Sequence, residues 1–428
     1  MYRRQFIKLV GAGLATGLIP TAALAKKTAG HVHASYLVPG YMPEYALKGG
    51  VALARHPEFT RGIGLDYRGP RTLITRLDEA DHKVTRAVFP VKGHHIAISP
   101  NRREAFFSTM DGEAMVLFDP HTLEFLGQTR PHATDYIGGG HAVYLPDGET
   151  LVVTERRRLA PWSGDPARHE GRISVRDART LEVLKHFPCG GIHPHDIALM
   201  ADGRHVAISN YGRTDWPGEA KAMPFVAEPS LSVVDLHTGK LRARVRGADR
   251  RFEIRHLAGP DLQRLFVIQT AMLEDADAEA ILGKSDEIMD VDLSTPQGLS
   301  YTPAPLLGIR ISGDDATATE MLPADGLRFR QGQSVVYDPV HDEAIATFTS
   351  SHTIAIIEAS KMRIRKLIRT DELGLQHPRG VVLHPDGEHY AVSGSWRDLY
   401  LFRRGSHTLN RARCWYQTFY DHSHMSIL

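Results

Sequence analysis

The chain has 428 residues, 42% of them hydrophobic and 24% charged, which is enough apolar material for a sizeable core. Lys and Arg number 51 against 50 Asp and Glu. No net field therefore draws the protein to nucleic acid or an anionic membrane, and polyanion binding is excluded as its main task. Cys189 and Cys414 are the only cysteines, so a disulfide-stapled scaffold is excluded as well, and stability has to come from the core.

In chain order, the first segment is "MYRRQFIKLVGAGLATGLIPTAALAKK". It has a basic start (Arg3, Arg4, Lys8), a short apolar stretch rich in Gly and Ala, and a small-x-small site at Ala23-Leu24-Ala25. The apolar run is too short and too weak for a membrane anchor. Arg3-Arg4-Gln5-Phe6-Ile7-Lys8 resembles the twin-arginine export signal, with Tyr2 and Ile7 departing from its usual pattern. That resemblance implies a signal peptide over residues 1–25, delivery of an already folded protein to the periplasm, and no stable membrane insertion after cleavage. Residues 26–58, with His31 and His33, read as an N-terminal extension, and the folded domain is expected over 59–428.

From there the sequence repeats with a period of about 45 residues. Three strands come first: "GIGLDY", "TLITRL" and "KVTRAVFP". Six strands then share one form, an alternating apolar run closed by a Pro, Asp, Gly or Asn turn. They are "HHIAISPN" from His94, "GHAVYLPDG" from Gly140, "HDIALMADG" from His195, "RHLAGPD" from Arg255, "QSVVYDP" from Gln333 and "RGVVLHPDG" from Arg379. Second strands ("TLVVTE", "HVAISN", "RLFVIQ", "HYAVSG"), third strands ("RISVRD", "SLSVVD") and fourth strands ("LEVLKHF", "KLRARVR") follow them. Four short strands per unit predict an all-β, seven-bladed β-propeller. Its closing blade is composite, with an inner strand from the C-terminal "HSHMSIL" and three strands from the N-terminal side, leaving no open sheet edge.

Two columns of residues head the inner strands. The first runs His94, Gly140, His195, Arg255, Gln333, Arg379, Ser423, and the second His95, His141, Asp196, His256, Ser334, Gly380, His424. The second column places His95, His141, His256, His424 and Asp196 on one ring at the channel mouth. Imidazoles with a carboxylate suit iron, copper or zinc. The first column offers Arg255 and Arg379, with His94 and His195, for an anionic or organic ligand. A plain structural role is also open, with histidines tying neighbouring strands together by hydrogen bonds.

Three connections between second and third strands are long, starting at residues 155 and 212 and spanning Thr270 to about Thr302, the last acidic and able to form a short helix. They are expected on the face where the histidines enter, and long loops on a rigid scaffold often carry function. Cys189-Gly-Gly-Ile-His193-Pro-His195 matches no strong zinc spacing, so Cys189 reads as a buried thiol. The glycines of "IGGGH" precede β-like residues rather than a helix, which argues against a nucleotide loop. No G-x-S-x-G, H-E-x-x-H or C-x-x-C-H pattern occurs.

The phrases "GGGHAVYLPDGETLVVTE", "GRISVRDARTLEVLKHFPCGGIHPHDIALMADG", "EPSLSVVDLHTGKL" and "IRHLA" resemble an uncharacterised family of twin-arginine-exported bacterial propellers. That family is a domain of unknown function grouped with YVTN-repeat and quinoprotein amine dehydrogenase β-chain-like propellers. The likeness runs from about Gly62 to the terminal Tyr420-Asp421-His422-Ser423-His424. It implies a role near periplasmic metal-uptake proteins, in iron or copper homeostasis, and carries no implication of a quinone cofactor. The expected function is a metal- or ligand-binding accessory protein. Two other classes stay open. One is a hub-metal enzyme, similar in outline to the copper domain of nitrous oxide reductase or to a lactonase-like hydrolase. The other is a structural platform for a partner protein.

Overall fold

Strands buried on both sides read as unbroken apolar runs, because their alternating side chains meet two different neighbours. Met115–Phe118 shows this directly. Met115 and Leu117 enter one apolar layer, while Val116 and Phe118 enter the next. The neighbouring strand Ala105–Thr109 does the same, with Phe106 on one side and Ala105 and Phe107 on the other.

The computed structural model describes residues 32–41, 72–89, 91–215, 224–247, 252–271, 304–313, 315–324, 327, 329–394, 398–416 and 424–428. Its strands form seven antiparallel blades in a ring, a seven-bladed β-propeller. The inner strands of blades 1 to 6 are Gly93–Ile98, Tyr136–Tyr144, Pro194–Leu199, Phe252–Ala258, Gly332–Asp338 and Pro378–Leu383. Blade 7 is the composite one. Its inner strand Ser426–Ile427 pairs with Ser35–Tyr41, which pairs with Thr72–Asp78 and then Lys83–Phe89. The pairs Tyr36–Ile427 and Leu37–Ser426 close the ring.

Two details differ from the sequence reading. The second strand of blade 7 is Ser35–Tyr41, inside the stretch read as an N-terminal extension, so the propeller starts before residue 59. The run "GIGLDY" lies outside the described residues. Among the described residues, three strands pair in blade 6, and the outer position is covered by isolated bridges from Leu409 and Trp415 around a short 3-10 turn, Arg411–Arg413.

Seven apolar layers separate the seven blades, one at each interface, including the interface between blades 6 and 7. The ring thus has no weak joint, as a closed architecture without free edges requires. Among the described residues the helical segments are 3-10 turns, and no helix is long and apolar enough to cross a membrane. Of the long connections, the first carries the turn Pro166–Arg168 and the second a hairpin of Arg213–Asp215 with Pro224–Val226. They meet where Thr214 Oγ1 donates to the Ala160 carbonyl at 2.5 Å. The third, with its expected helix, lies outside the described residues from 272 to 303.

Candidate metal centre

Every inner strand of blades 1 to 6 carries a register shift at the residues that head it: between Gly93 and Ile96, Gly138 and Ala142, Pro194 and Ile197, Ile254 and His256, Gly332 and Ser334, and Pro378 and Val381. A regular strand would send neighbouring side chains to opposite faces. A bulge breaks that alternation and re-aims them. His94 and His95 consequently both face His141, with ring centroids 5.3 and 4.4 Å away.

The two sequence columns therefore merge. Six imidazoles from five consecutive blades meet in the hub: His94 and His95 from blade 1, His141 from blade 2, His195 from blade 3, His256 from blade 4 and His424 from blade 7. His424 lies 4.5 to 4.7 Å, centroid to centroid, from His94, His256 and His141. Single donor atoms of His94, His141, His195 and His424 all fall within 4.8 Å of one another. His94 Nε2 is 3.3 Å from His195 Nε2 and 3.0 Å from His424 Nε2. His141, Asp196 and His256 make a second group of the same compactness that shares His141.

Gly140 makes this closeness possible. Its φ of 125° belongs to glycine, and a Cβ there would sit 2.7 Å from His195 Nδ1 and 3.1 Å from His94. A hydroxyl on each of several second strands fixes the backbone beneath. Ser108 donates to the carbonyls of His95 and Gly140, Thr154 to those of His141 and His195, and Thr347 to those of Ser334 and Arg379. Each clasp joins an inner strand to that of the next blade. The sequence reading passed over these residues, although a Ser or Thr recurs in "AFFST", "VVTE", "AISN" and "ATFT".

The electrostatics keep most of the hub imidazoles neutral and Asp196 ionised. Burial, aided by the neighbouring imidazoles, holds His94, His95, His195 and His424 well below the ordinary imidazole range. Burial lowers His256 as well, to about 4, against the opposing pull of Asp196. Burial pushes the Asp196 carboxyl up, but His141 and His256 outweigh it and hold it well below the usual carboxylate range. Three buried ring nitrogens, His94 Nδ1, His95 Nδ1 and His141 Nε2, have no hydrogen-bond partner. A buried polar atom without a partner calls for an explanation, and a bound ion is one.

Beside the hub, the Tyr211 ring lies 4.3 Å from that of His195, with the Arg213 and Arg255 guanidiniums 5.6 and 5.5 Å from its centroid. Both arginines also pair with buried Glu253. Arg255 is thus at the hub but already partnered. Arg379 heads blade 6, where Thr347 holds its carbonyl. His94 and His195, grouped with those arginines in the sequence reading, sit among the imidazoles instead. Ser423 lies outside the described residues. Cys189 is fully buried, its thiol pushed up to about 12 by burial and directed at the Gly191 carbonyl, 3.1 Å away. Both cysteines are free.

Comparison with known proteins gives the same architecture. Hydrazine synthase from Kuenenia stuttgartiensis aligns with 78% of this chain and 90% of its own at 13% identity and a TM-score of 0.53. A "putative 6-phosphogluconolactonase" from Bacteroides fragilis aligns over 92% of this chain and 98% of its own at 12% identity and a TM-score of 0.51. At such identities the likeness concerns the fold alone. No curated protein sequence matches the chain. Residues 87–297, which carry every hub histidine except His424, match the family described as "Protein of unknown function (DUF1513)".

Proposed function

We propose that this protein binds a transition-metal ion in its hub and serves, after twin-arginine export to the periplasm, as an accessory protein in copper or iron homeostasis. The observation that carries the reading is the four-imidazole group of His94, His141, His195 and His424. Metal–imidazole bonds of about 2.0–2.1 Å set the nitrogens of a tetrahedral site about 3.3 Å apart. His94 Nε2 already has two neighbours at 3.3 and 3.0 Å. Nitrogen donors without free carboxylates suit copper, zinc or iron and not magnesium or calcium. Neutral imidazoles present lone pairs at no cost in deprotonation. An export route that carries folded proteins supports the same reading, since an ion bound before passage stays bound.

Six hub imidazoles also favour a second reading, an oxidoreductase with more than one copper ion.

Elemental analysis of the mature protein, taken from the periplasm without chelators, tests both. About one equivalent of copper, iron or zinc, lost on His141→Ala or His256→Ala in a variant that keeps its circular dichroism, is the expected result. More than one copper per chain with reducible absorption would favour the enzyme. Folded protein that takes up none of the three ions when they are supplied returns the histidines to a structural role.

A further inference from the structure

Asp196 occupies the ring position of a ligand, yet each of its carboxylate oxygens already holds a backbone amide and faces an imidazole nitrogen. Oδ1 accepts from the Ile197 amide at 2.8 Å and faces His141 Nδ1 at 3.0 Å. Oδ2 accepts from the Leu257 amide at 3.1 Å and faces His256 Nδ1 at 3.4 Å. A carboxylate only accepts, so both Nδ1 atoms carry the proton, and both Nε2 atoms keep the lone pair. For His141 that Nε2 is the buried atom without a partner. His195 follows the same rule through the backbone: its Nδ1 donates to the Gly139 carbonyl at 2.9 Å, leaving Nε2 against His94.

We infer that Asp196 is a positioning residue rather than a metal ligand: one carboxylate spans blades 2 and 4 and fixes His141 and His256 in the tautomer that turns Nε2 toward the ion. The inference rests on the metal-binding reading above. Carboxylates behind metal-bound imidazoles raise ligand basicity and lock ring orientation, and their loss weakens binding about 10- to 100-fold without removing a bond to the metal. Its anchorage is rigid, since both amides come from inner strands and Ser209 Oγ, which accepts from the Asp196 amide at 3.0 Å, also donates to the Arg255 carbonyl.

The test begins with wild-type apoprotein carrying 15N-labelled histidine. Long-range 1H–15N spectra report the tautomer of each ring without any metal. His141 and His256 are expected as Nδ1–H, and Nε2–H at either would overturn the inference. Copper(II) is then titrated into wild type and Asp196→Asn. The amide can accept at one oxygen only, so one imidazole should change tautomer while copper stoichiometry stays the same and affinity falls about 10- to 100-fold. A changed stoichiometry, or copper-bound spectra that lose an oxygen donor while the ring tautomers stay unchanged, would make Asp196 a ligand and overturn the proposal. Nδ1–H tautomers in a wild type that takes up no copper, zinc or iron would sink the metal reading itself, separately from the tautomer assignment.

Discussion

Two buried groups of histidines in this propeller behave in opposite ways. In the hub, among the described residues, six imidazoles have one carboxylate, Asp196, against two of them. At the joint between blades 6 and 7, His384 and His389 meet Glu79, Asp386 and Arg413. His384 Nε2 lies 3.0 Å from Glu79 and its Nδ1 3.0 Å from Asp386. Asp386 also receives His389 and Arg413 at 2.8 Å, and Tyr36 donates to Glu79 at 3.0 Å. Burial pushes His384 down, but the hydrogen bonds to Asp386 and Glu79 outweigh it and raise the imidazole above its usual value. Burial holds His94, His95, His195 and His424 low, with no such set of partners to oppose it. The number of carboxylates set against burial decides whether a buried imidazole spends both nitrogens on the fold or keeps a lone pair for something else.

Breaking the joint should cost most. Glu79→Ala leaves His384 and Arg413 facing a gap, and removing one partner of a buried ion pair costs about 3–5 kcal/mol. Urea denaturation should show that loss, with metal uptake by the folded fraction unchanged. A fall in metal content instead would mean that the two regions are coupled. Gly140→Ala reverses the pattern. Crowding at His195 and His94 should abolish tight metal binding for a stability loss of about 1–3 kcal/mol, read by calorimetry and thermal melting.

Acidity sharpens the contrast further. Glu79 falls from an ordinary 4.5 to about 2: burial raises it, and His384 and Arg413 outweigh that. Its contribution is therefore complete above 4.5 and is lost as the pH drops toward 2. His384, raised above 6.5, contributes fully below that value and loses its contribution as the pH rises through its folded pKa. The hub runs opposite to His384. His256, at about 4 in the fold against 6.5 unfolded, destabilises the protein progressively as the pH falls from 6.5 toward 4. Replacing Glu79 with Gln should flatten the acid limb of the stability curve below pH 4.5 and leave the limb between 6.5 and 4 intact. The smallest effect belongs to Cys189→Ala. It should cost about 1 kcal/mol and leave metal content unchanged, and the native thiol should resist alkylation.

The fold was largely legible because blade strands announce themselves twice, by apolar runs and by Pro-Asp-Gly turns between them. Ser35–Tyr41 escaped notice because "SYLVPGY" contains Pro39 and Gly40, which read as strand breakers, and because its partner begins only at Thr72. Pro39 is tolerated because it pairs with Ile74 alone, the pairing to the C-terminal strand covering only Tyr36 and Leu37. In the hub, residue types were legible and directions were not. A bulge leaves no mark in the apolar alternation, so His94 and His195 stood apart from the column they join. The nearest signal was the paired His94-His95 and the glycine run before His141. His384 and His389 drew no attention at all, since the Glu79 that gives them meaning is 305 positions from His384.

His424 reaches the hub on the inner strand of blade 7, which follows every other blade in the chain. Synthesis proceeds from the N-terminal side, so five of the six imidazoles emerge from the ribosome well before the last. Until Tyr36 and Leu37 capture Ile427 and Ser426, the donor set is short of one nitrogen and the ring is open. Shutting the ring and completing the set of imidazoles are thus a single event in time, and if the hub holds an ion as proposed, tight binding would certify a ring that has closed.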